Sequence, residues 1–204
     1  MSGAVNGDTP HRIEAVTFLA PPELQPALAR EIVARTSAHL GVPCRLHTAP
    51  WDRAARRLAG REQFDADALL HSLEESPPAP GTVHVGLTEH DLGLVLFTFV
   101  FGRARRFGHA AIVSLARLAP EHYGLKADPS LTAQRALAEV LHEIGHVAGL
   151  AHCTDMNCIM YFATNVETID LRGMDFCANC KRELPAGLAG STIHRAAADR
   201  SFQS

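Results

Sequence analysis

The sequence has no apolar run long enough to cross a bilayer as a helix. The longest, Leu92 to Gly102, holds eleven residues and is interrupted by Thr98, against about 20 for a spanning helix. No basic segment followed by an apolar core opens the chain, so no secretory signal is read there. Charge of one sign is not in excess. Lys and Arg number 19 against 22 Asp and Glu, and the net charge of -3 gives no electrostatic case for a nucleic-acid partner. Internal repeats and low-complexity blocks are missing too. Aromatics are scarce at 6%, yet 47% of the 204 residues are apolar, enough for a real core. Wholesale disorder, collagen-like repeats and disulfide-dense mini-protein scaffolds are thereby excluded. The expectation is one soluble, cytoplasmic domain with no membrane partner. In that compartment thiols stay reduced, and clustered cysteines more often bind metal than pair.

Two counts stand out against this ordinary background: 12 histidines and 5 cysteines. Along the chain, residues 1–10 are rich in Gly, Ser, Asn and Asp and read as a flexible terminus. Arg12 to Leu19 alternates and suggests a strand, which Pro21 and Pro22 stop. Glu23 to Leu40 reads as an amphipathic helix with Gly41 at its C-terminal stop. Val42 to His47 reads as a second strand, and Asp52 to Glu75 as helix interrupted at Gly60. Ser76 to Gly81 is a loop by composition. Three further strands are expected at Thr82–Leu87, Leu94–Phe101 and Ala110–Leu115. Leu131 to Leu150 is a long helix, apolar on most faces and therefore buried. Regular patterns fade after Gly149. The fold class is α/β or α+β: a mixed sheet with a backing helix and a second helix that carries the chemistry.

That second helix ends in His142-Glu143-Ile144-Gly145-His146, and the chain runs on to Gly149 and His152, giving HExxHxxGxxH. Residues i and i+4 share one helical face, so His142 and His146 can aim at one ion. Glu143 projects beside them, within reach of a water on the metal. Gly149 permits the tight turn that ends the helix and returns His152 as a third nitrogen ligand. Three protein ligands plus water make an open, catalytic type of zinc site. By chance the five fixed positions would match on the order of 2 × 10⁻⁴ times in a chain of this length and usage. Met160 follows eight residues after His152, where a Met-turn would lie beneath a three-histidine site.

Cys153, Cys158, Cys177 and Cys180 form a set of four, the last two as CxxC. Four thiolates so spaced suit a closed, tetrahedral structural zinc site, which would contribute folding energy to a loop-rich segment. Disulfides, free thiols, a redox CxxC pair and an iron–sulfur cluster are the alternatives; the redox pair lacks a βαβ context. Cys44 stands apart and reads as a small buried apolar residue.

HExxHxxGxxHC, then C-x-M, then a downstream CxxC resembles the archaemetzincins (archaelysins), a branch of the metzincin zinc metallopeptidases. Sixteen residues separate Met160 from Cys177, about one fewer than the family's usual loop. The resemblance implies two zinc ions per chain. One would be catalytic, on His142, His146 and His152, with Glu143 as general base toward a zinc-activated water. The other would be structural, on Cys153, Cys158, Cys177 and Cys180. It also implies Gly149 in the turn, Met160 beneath the catalytic metal, and a sheet edge strand within Leu94–Phe101 lining the cleft. The domain organisation it implies is an upper subdomain over 11–149 with sheet and active-site helix. A lower one over 150–204 would carry the Met-turn and the cysteines. The expected function is hydrolysis of peptide bonds in a peptide or protein substrate. A non-catalytic zinc-binding interaction module, or a zinc hydrolase of a non-peptide amide, are the competing readings; Glu143 favours catalysis over pure scaffolding.

Tyr161 directly follows Met160; related families place an oxyanion-steadying tyrosine one position later. His84, His90, His109, His122 and His194 are scattered and read as ordinary histidines. Arg103, Arg105 and Arg106 read as a solvated strand end rather than a substrate-carboxylate clamp. Asp170 and Asp175 read as loop turn-formers.

Overall fold

In the computed structural model the described residues are 12–53, 55–185 and 188. The expectations for residues 1–10 and for His194 lie outside them. Five strands make the main sheet: β1 (Ala15–Ala20), β2 (Cys44–Thr48), β4 (Thr82–Thr88), β7 (Gly102–Ala104) and β8 (Ala110–Ser114), in the order β2-β1-β4-β8-β7. All neighbours are parallel except β7, which runs antiparallel to β8 at one edge. A second sheet joins β3 (Phe64–Asp65), β5 (Leu92–Leu94) and β6 (Phe97–Val100) in the order β3-β5-β6.

Every residue of β8 is buried, as a strand covered on both faces requires. Ala111 and Val113 face a core shared with α1 (Pro26–Leu40) and α3 (Pro129–Val147). Ala110 and Ile112 face a smaller core with Leu69, Leu70 and Leu73 of α2 (Ala66–Glu74) and Leu92 of β5. Two short helices follow α3: α4 (Val166–Leu171) and α5 (Ala178–Glu183). Cys158, Ile159, Met160, Val166, Ile169 and Phe176 from this last stretch join the same core as α1 and α3. No helix among the described residues is long and apolar enough to cross a membrane.

The mixed sheet, backing helix and buried second helix match the reading of the sequence. Two stretches differ. Between Asp52 and Glu75 only Ala66–Glu74 is helical. Helix starts where Asp65 accepts from the Ala68 N–H at 3.1 Å. Upstream, tertiary partners overrule propensity: Thr88 donates to the buried Asp52 at 2.8 Å, and the Trp51 ring donates to the Leu87 carbonyl at 3.0 Å. The apolar run Leu94–Phe101 is not one strand. It turns at Val95–Leu96 between β5 and β6, and the sheet edge is Gly102–Ala104. Phe101 marks the crossing; its carbonyl accepts from the Ser114 N–H at 2.8 Å.

Candidate active site and metal groups

α3 begins at Asp128, whose side chain accepts from the Leu131 N–H at 3.0 Å, with Pro129 in the first turn. It is buried along most of its length. Its end is a Schellman motif: Leu150 N–H donates to the Gly145 carbonyl and Gly149 N–H to the His146 carbonyl, both at 2.9 Å. Gly149 sits at φ +101°, a backbone only glycine adopts cheaply. The turn sends His152 back toward His142 and His146.

The three imidazoles converge. His146 Nε2 lies 3.1 Å from His142 Nε2 and 3.3 Å from His152 Nε2. His142 Nδ1 faces the Ile159 carbonyl at 2.9 Å, and His146 Nδ1 faces the Leu150 carbonyl at 2.8 Å. A carbonyl oxygen only accepts, so each Nδ1 carries the proton and each Nε2 presents a lone pair. Burial pushes all three below the ordinary histidine value, His146 to about 4. Each shift favours the neutral imidazole, the form that ligates a metal.

Glu143 is buried beside them, under the sheet edge. A β-carbon on Gly102 would meet its Oε1 at 2.7 Å. Burial, then the neighbouring Glu139, pushes its carboxyl well above the ordinary range. Met160 is fully buried below α3. Its Sδ lies 2.4 Å from where a β-carbon on Gly145, the residue next to His146, would stand.

The cysteines form a second group. Cys153 Sγ is 3.8 Å from Cys177 Sγ, and Cys158 Sγ is 3.7 Å from Cys180 Sγ. All four are free thiols. Backbone N–H groups of Cys177 and Asp155 point at Cys158 Sγ and Cys153 Sγ, at 3.3 and 3.5 Å. The N–H of Cys180, and further hydrogen bonds around it, lower the Cys177 thiol to about 7. Cys158 and Cys180 are raised by burial. Cys44 stays outside, half-buried on β2, and burial raises its thiol to about 11.

Among the described residues these are the two clusters of His, Cys, Asp and Glu able to hold a metal ion. A cleft of about 540 Å³ opens above the histidines, bounded by the β5–β6 hairpin, β7, α3 and the segment after Met160. The family model of peptidase family M54 matches residues 62–186, the stretch that holds the cleft, α3 and all four clustered cysteines. The chain belongs to family M54. Among relatives, the archaemetzincin of Methanocaldococcus jannaschii is 41% identical over 124 residues, covering 61% of this chain and 67% of that protein. The archaemetzincin of Pyrococcus horikoshii is 40% identical over 141 residues, 66% of this chain and 72% of its own. Two solved structures resemble the fold closely. A zinc-dependent peptidase from Methanocorpusculum labreanum superposes with a TM-score of 0.76 at 28% identity, over 83% of this chain and all of that one. An archaemetzincin from Archaeoglobus fulgidus, complexed with malonate, gives 0.70 at 26% identity, over 83% of this chain and 99% of that one. The resemblance read from the motifs is thereby borne out, and M54 is a family of metallopeptidases.

Several residues of this M54 chain take places that the motifs did not announce. Arg172 is buried and donates to Glu139 Oε1 at 2.5 Å. It also donates to the Tyr161 carbonyl at 3.2 Å, with the same nitrogen 3.4 Å from His142 Nδ1. No motif joins two residues so far apart, so only the fold reveals the pair. Tyr161 gives its backbone to this network; Phe162, one position later and without a hydroxyl, lines the cleft against His152. Asp170 is no turn-former: it lies in α4 and accepts from Arg135 at 2.8 and 2.6 Å. Arg103 pairs with Asp67 and Arg105 with Glu74, as a strand end would. Arg106 instead grips the Gly149 carbonyl with two nitrogens, at 2.9 and 2.6 Å. His90 stacks on Phe64 at 4.1 Å and His122 packs on Tyr123; neither they nor His84 and His109 join a metal group.

Proposed function

We propose that this chain is a zinc peptidase with two zinc ions. One would be held by His142, His146 and His152 at the floor of the cleft, the other by Cys153, Cys158, Cys177 and Cys180. The donor spacings fit both. Tetrahedral zinc with Zn–N of about 2.0–2.1 Å needs nitrogens about 3.3 Å apart, and Zn–S of about 2.3 Å needs sulfurs about 3.8 Å apart. Two of the three nitrogen pairs stand 3.1 and 3.3 Å apart and two of the sulfur pairs 3.8 and 3.7 Å apart, and every donor atom of each group lies within 4.8 Å of the others. The single observation that carries the reading is the convergence of three imidazoles, two of them oriented through Nδ1 by backbone carbonyls, beside a buried carboxyl.

Zinc held by His142, His146 and His152 would supply Lewis acidity toward water and a scissile carbonyl. Glu143 takes the proton of the attacking water at its carboxylate and returns it to the departing amine nitrogen. The proton stays on Glu143 between the two events. The substrate chain lies along β7, which among the described residues pairs only with β8 and so offers its outer edge for strand addition. Met160 packs beneath α3 and fixes the spacing of His142 and His146. Residues 11–149 would form the upper subdomain and 150–204 the lower, sharing one core. Four free thiols held together suit a reducing compartment, and a cytoplasmic setting belongs to this proposal.

Glu143→Gln is the test. It should keep its zinc by elemental analysis while peptide hydrolysis falls about 10²–10⁴-fold. A variant that retains zinc and full activity overturns the mechanism.

A further inference from the structure

The β5–β6 hairpin carries three consecutive exposed apolar residues at its tip: Val95 is 84% exposed, Leu96 90% and Phe97 51%. Such a run on a surface costs solubility and marks a contact. Its backbone is held in place. The Arg61 guanidinium donates to the carbonyls of Leu94 at 2.8 Å and Phe97 at 3.0 Å, and to that of Thr98 as well. Gln63 and Arg117 both bond Asp91 at the base of the hairpin. The tip is therefore a built, presented surface.

It is continuous with the cleft, since Leu94 and Phe97 belong both to the hairpin and to the cleft wall. Across the gap Phe162 is 47% exposed, its ring 4.8 Å from that of His152. The arginines that line the cleft are all engaged within the chain, Arg103 by Asp67, Arg106 by the Gly149 carbonyl and Arg172 by Glu139. Two of the three are neutralised by carboxylates and Arg106 is turned to the end of α3, so apolar contact is the larger part of what the cleft wall offers beyond its reacting groups. We infer that the Val95–Leu96–Phe97 tip docks an apolar stretch of the substrate polypeptide where that chain leaves the cleft. The substrate class is then an extended polypeptide with a stretch of bulky aliphatic or aromatic residues beyond the part held in the cleft. This rests on the peptidase reading above.

The test uses the full chain, zinc-loaded and carrying Glu143→Gln, so that binding is read without turnover. Two fluorescein-labelled dodecapeptides are compared by anisotropy. One has a Leu-, Val- and Phe-rich half, and in the other those residues are Ser. The apolar peptide should bind about tenfold tighter, and Val95→Ser with Leu96→Ser should erase the difference; both positions are solvent-exposed, so the fold is spared. Equal affinity for the two peptides, or a preference that survives the double change, overturns the docking role. So does a dimer seen by light scattering, or binding to neutral phosphatidylcholine vesicles, that the double change abolishes while peptide preference persists. The active chain is assayed on the same two peptides. Cleavage without discrimination sinks the tip and spares the peptidase. Tip-dependent binding with no cleavage of either sinks the peptidase and spares the tip.

Discussion

Gly102 and Glu143 meet where the sheet edge crosses the active-site helix. A β-carbon at residue 102 would stand 2.7 Å from Glu143 Oε1 and 2.8 Å from its Cγ, inside any real contact distance. Gly102→Ala should therefore turn the carboxylate away from its working position. We expect kcat to fall about 10–100-fold, the scale of a displacement near 1 Å, with zinc content unchanged; an alanine variant with normal kcat contradicts this placement. Glu143 also bears on stability. Burial raises its folded pKa well above 4.5. Above pH 4.5 the unfolded chain releases a proton that the folded one retains, so folding stability falls as pH rises toward the folded pKa. In chelator-treated protein at pH 7, Glu143→Gln should then melt higher than the parent, and the gain should vanish toward pH 4.5. Each tenfold difference in proton affinity between folded and unfolded chain is worth about 1.4 kcal/mol, and each kcal/mol about 2–4 °C for a chain this size. An equal or lower melting temperature at pH 7 contradicts that account. At this scale the sequence was legible where spacing is local. His142, Glu143, His146, Gly149 and His152 lie within eleven consecutive residues, and one helix end arranges them. Gly102, Glu139 and Arg172 were not legible, because their partners come from other elements: Arg172 meets Glu139 across 33 positions.

The end of α3 and the turn after β7 form a clamp. Arg106 holds the Gly149 carbonyl, and the next residue, Phe107, adopts φ +59°, an unusual backbone for an aromatic residue. Its ring fills the space beside Gly149, with Cε1 where a β-carbon would stand. Two strained or restricted positions thus fix one turn, and that turn aims His152 and supplies the Leu150 carbonyl that orients His146. Gly149→Ala should cost about 1–3 kcal/mol for the backbone alone, with the ring clash added. The variant should lose the histidine-bound zinc while keeping the cysteine-bound one. Elemental analysis giving both ions at full occupancy would show the turn to be more forgiving. Elements were legible to the degree that their own residues decided them. α3 carries its cap, its apolar faces and its glycine stop in the sequence. Residues 52–65 carry helix-forming alanines and arginines, but Trp51 and Asp52 are drawn to β4, and helix waits for Asp65. Leu94–Phe101 is strand-like throughout, yet Arg61, thirty or more positions upstream, folds it into a hairpin and moves the sheet edge to Gly102–Ala104.

For the whole molecule, the question is what holds residues 150–185, which contain only two helices of six residues each. Helices so short do not stand alone. Two things tie the segment to the rest, the shared apolar core and the Arg135–Asp170 and Arg172–Glu139 pairs, while the four cysteines tie the segment to itself. The cysteine group draws on both ends of the segment, since Cys153 follows His152 and Cys177 and Cys180 flank the start of α5. The two metal groups also differ in access. His152 is exposed at the cleft, whereas Cys158 is fully buried and Cys180 is 7% exposed. A chelator in solution should then remove one zinc quickly and the second slowly. After the first loss activity should vanish and return on adding zinc, with the helical circular dichroism unchanged, because core and ion pairs still hold α3. Cys158→Ser with Cys180→Ser would remove the proposed cysteine-bound ion, whose binding would also be folding energy. That variant should melt about 10 °C lower or more, a loss of several kcal/mol. Since Cys153 adjoins His152, its histidine site should weaken in turn. Simultaneous loss of both ions, with collapse of the whole fold at the first equivalent of chelator, would show that the two groups act as one; stepwise release would show an open working metal above a closed structural one.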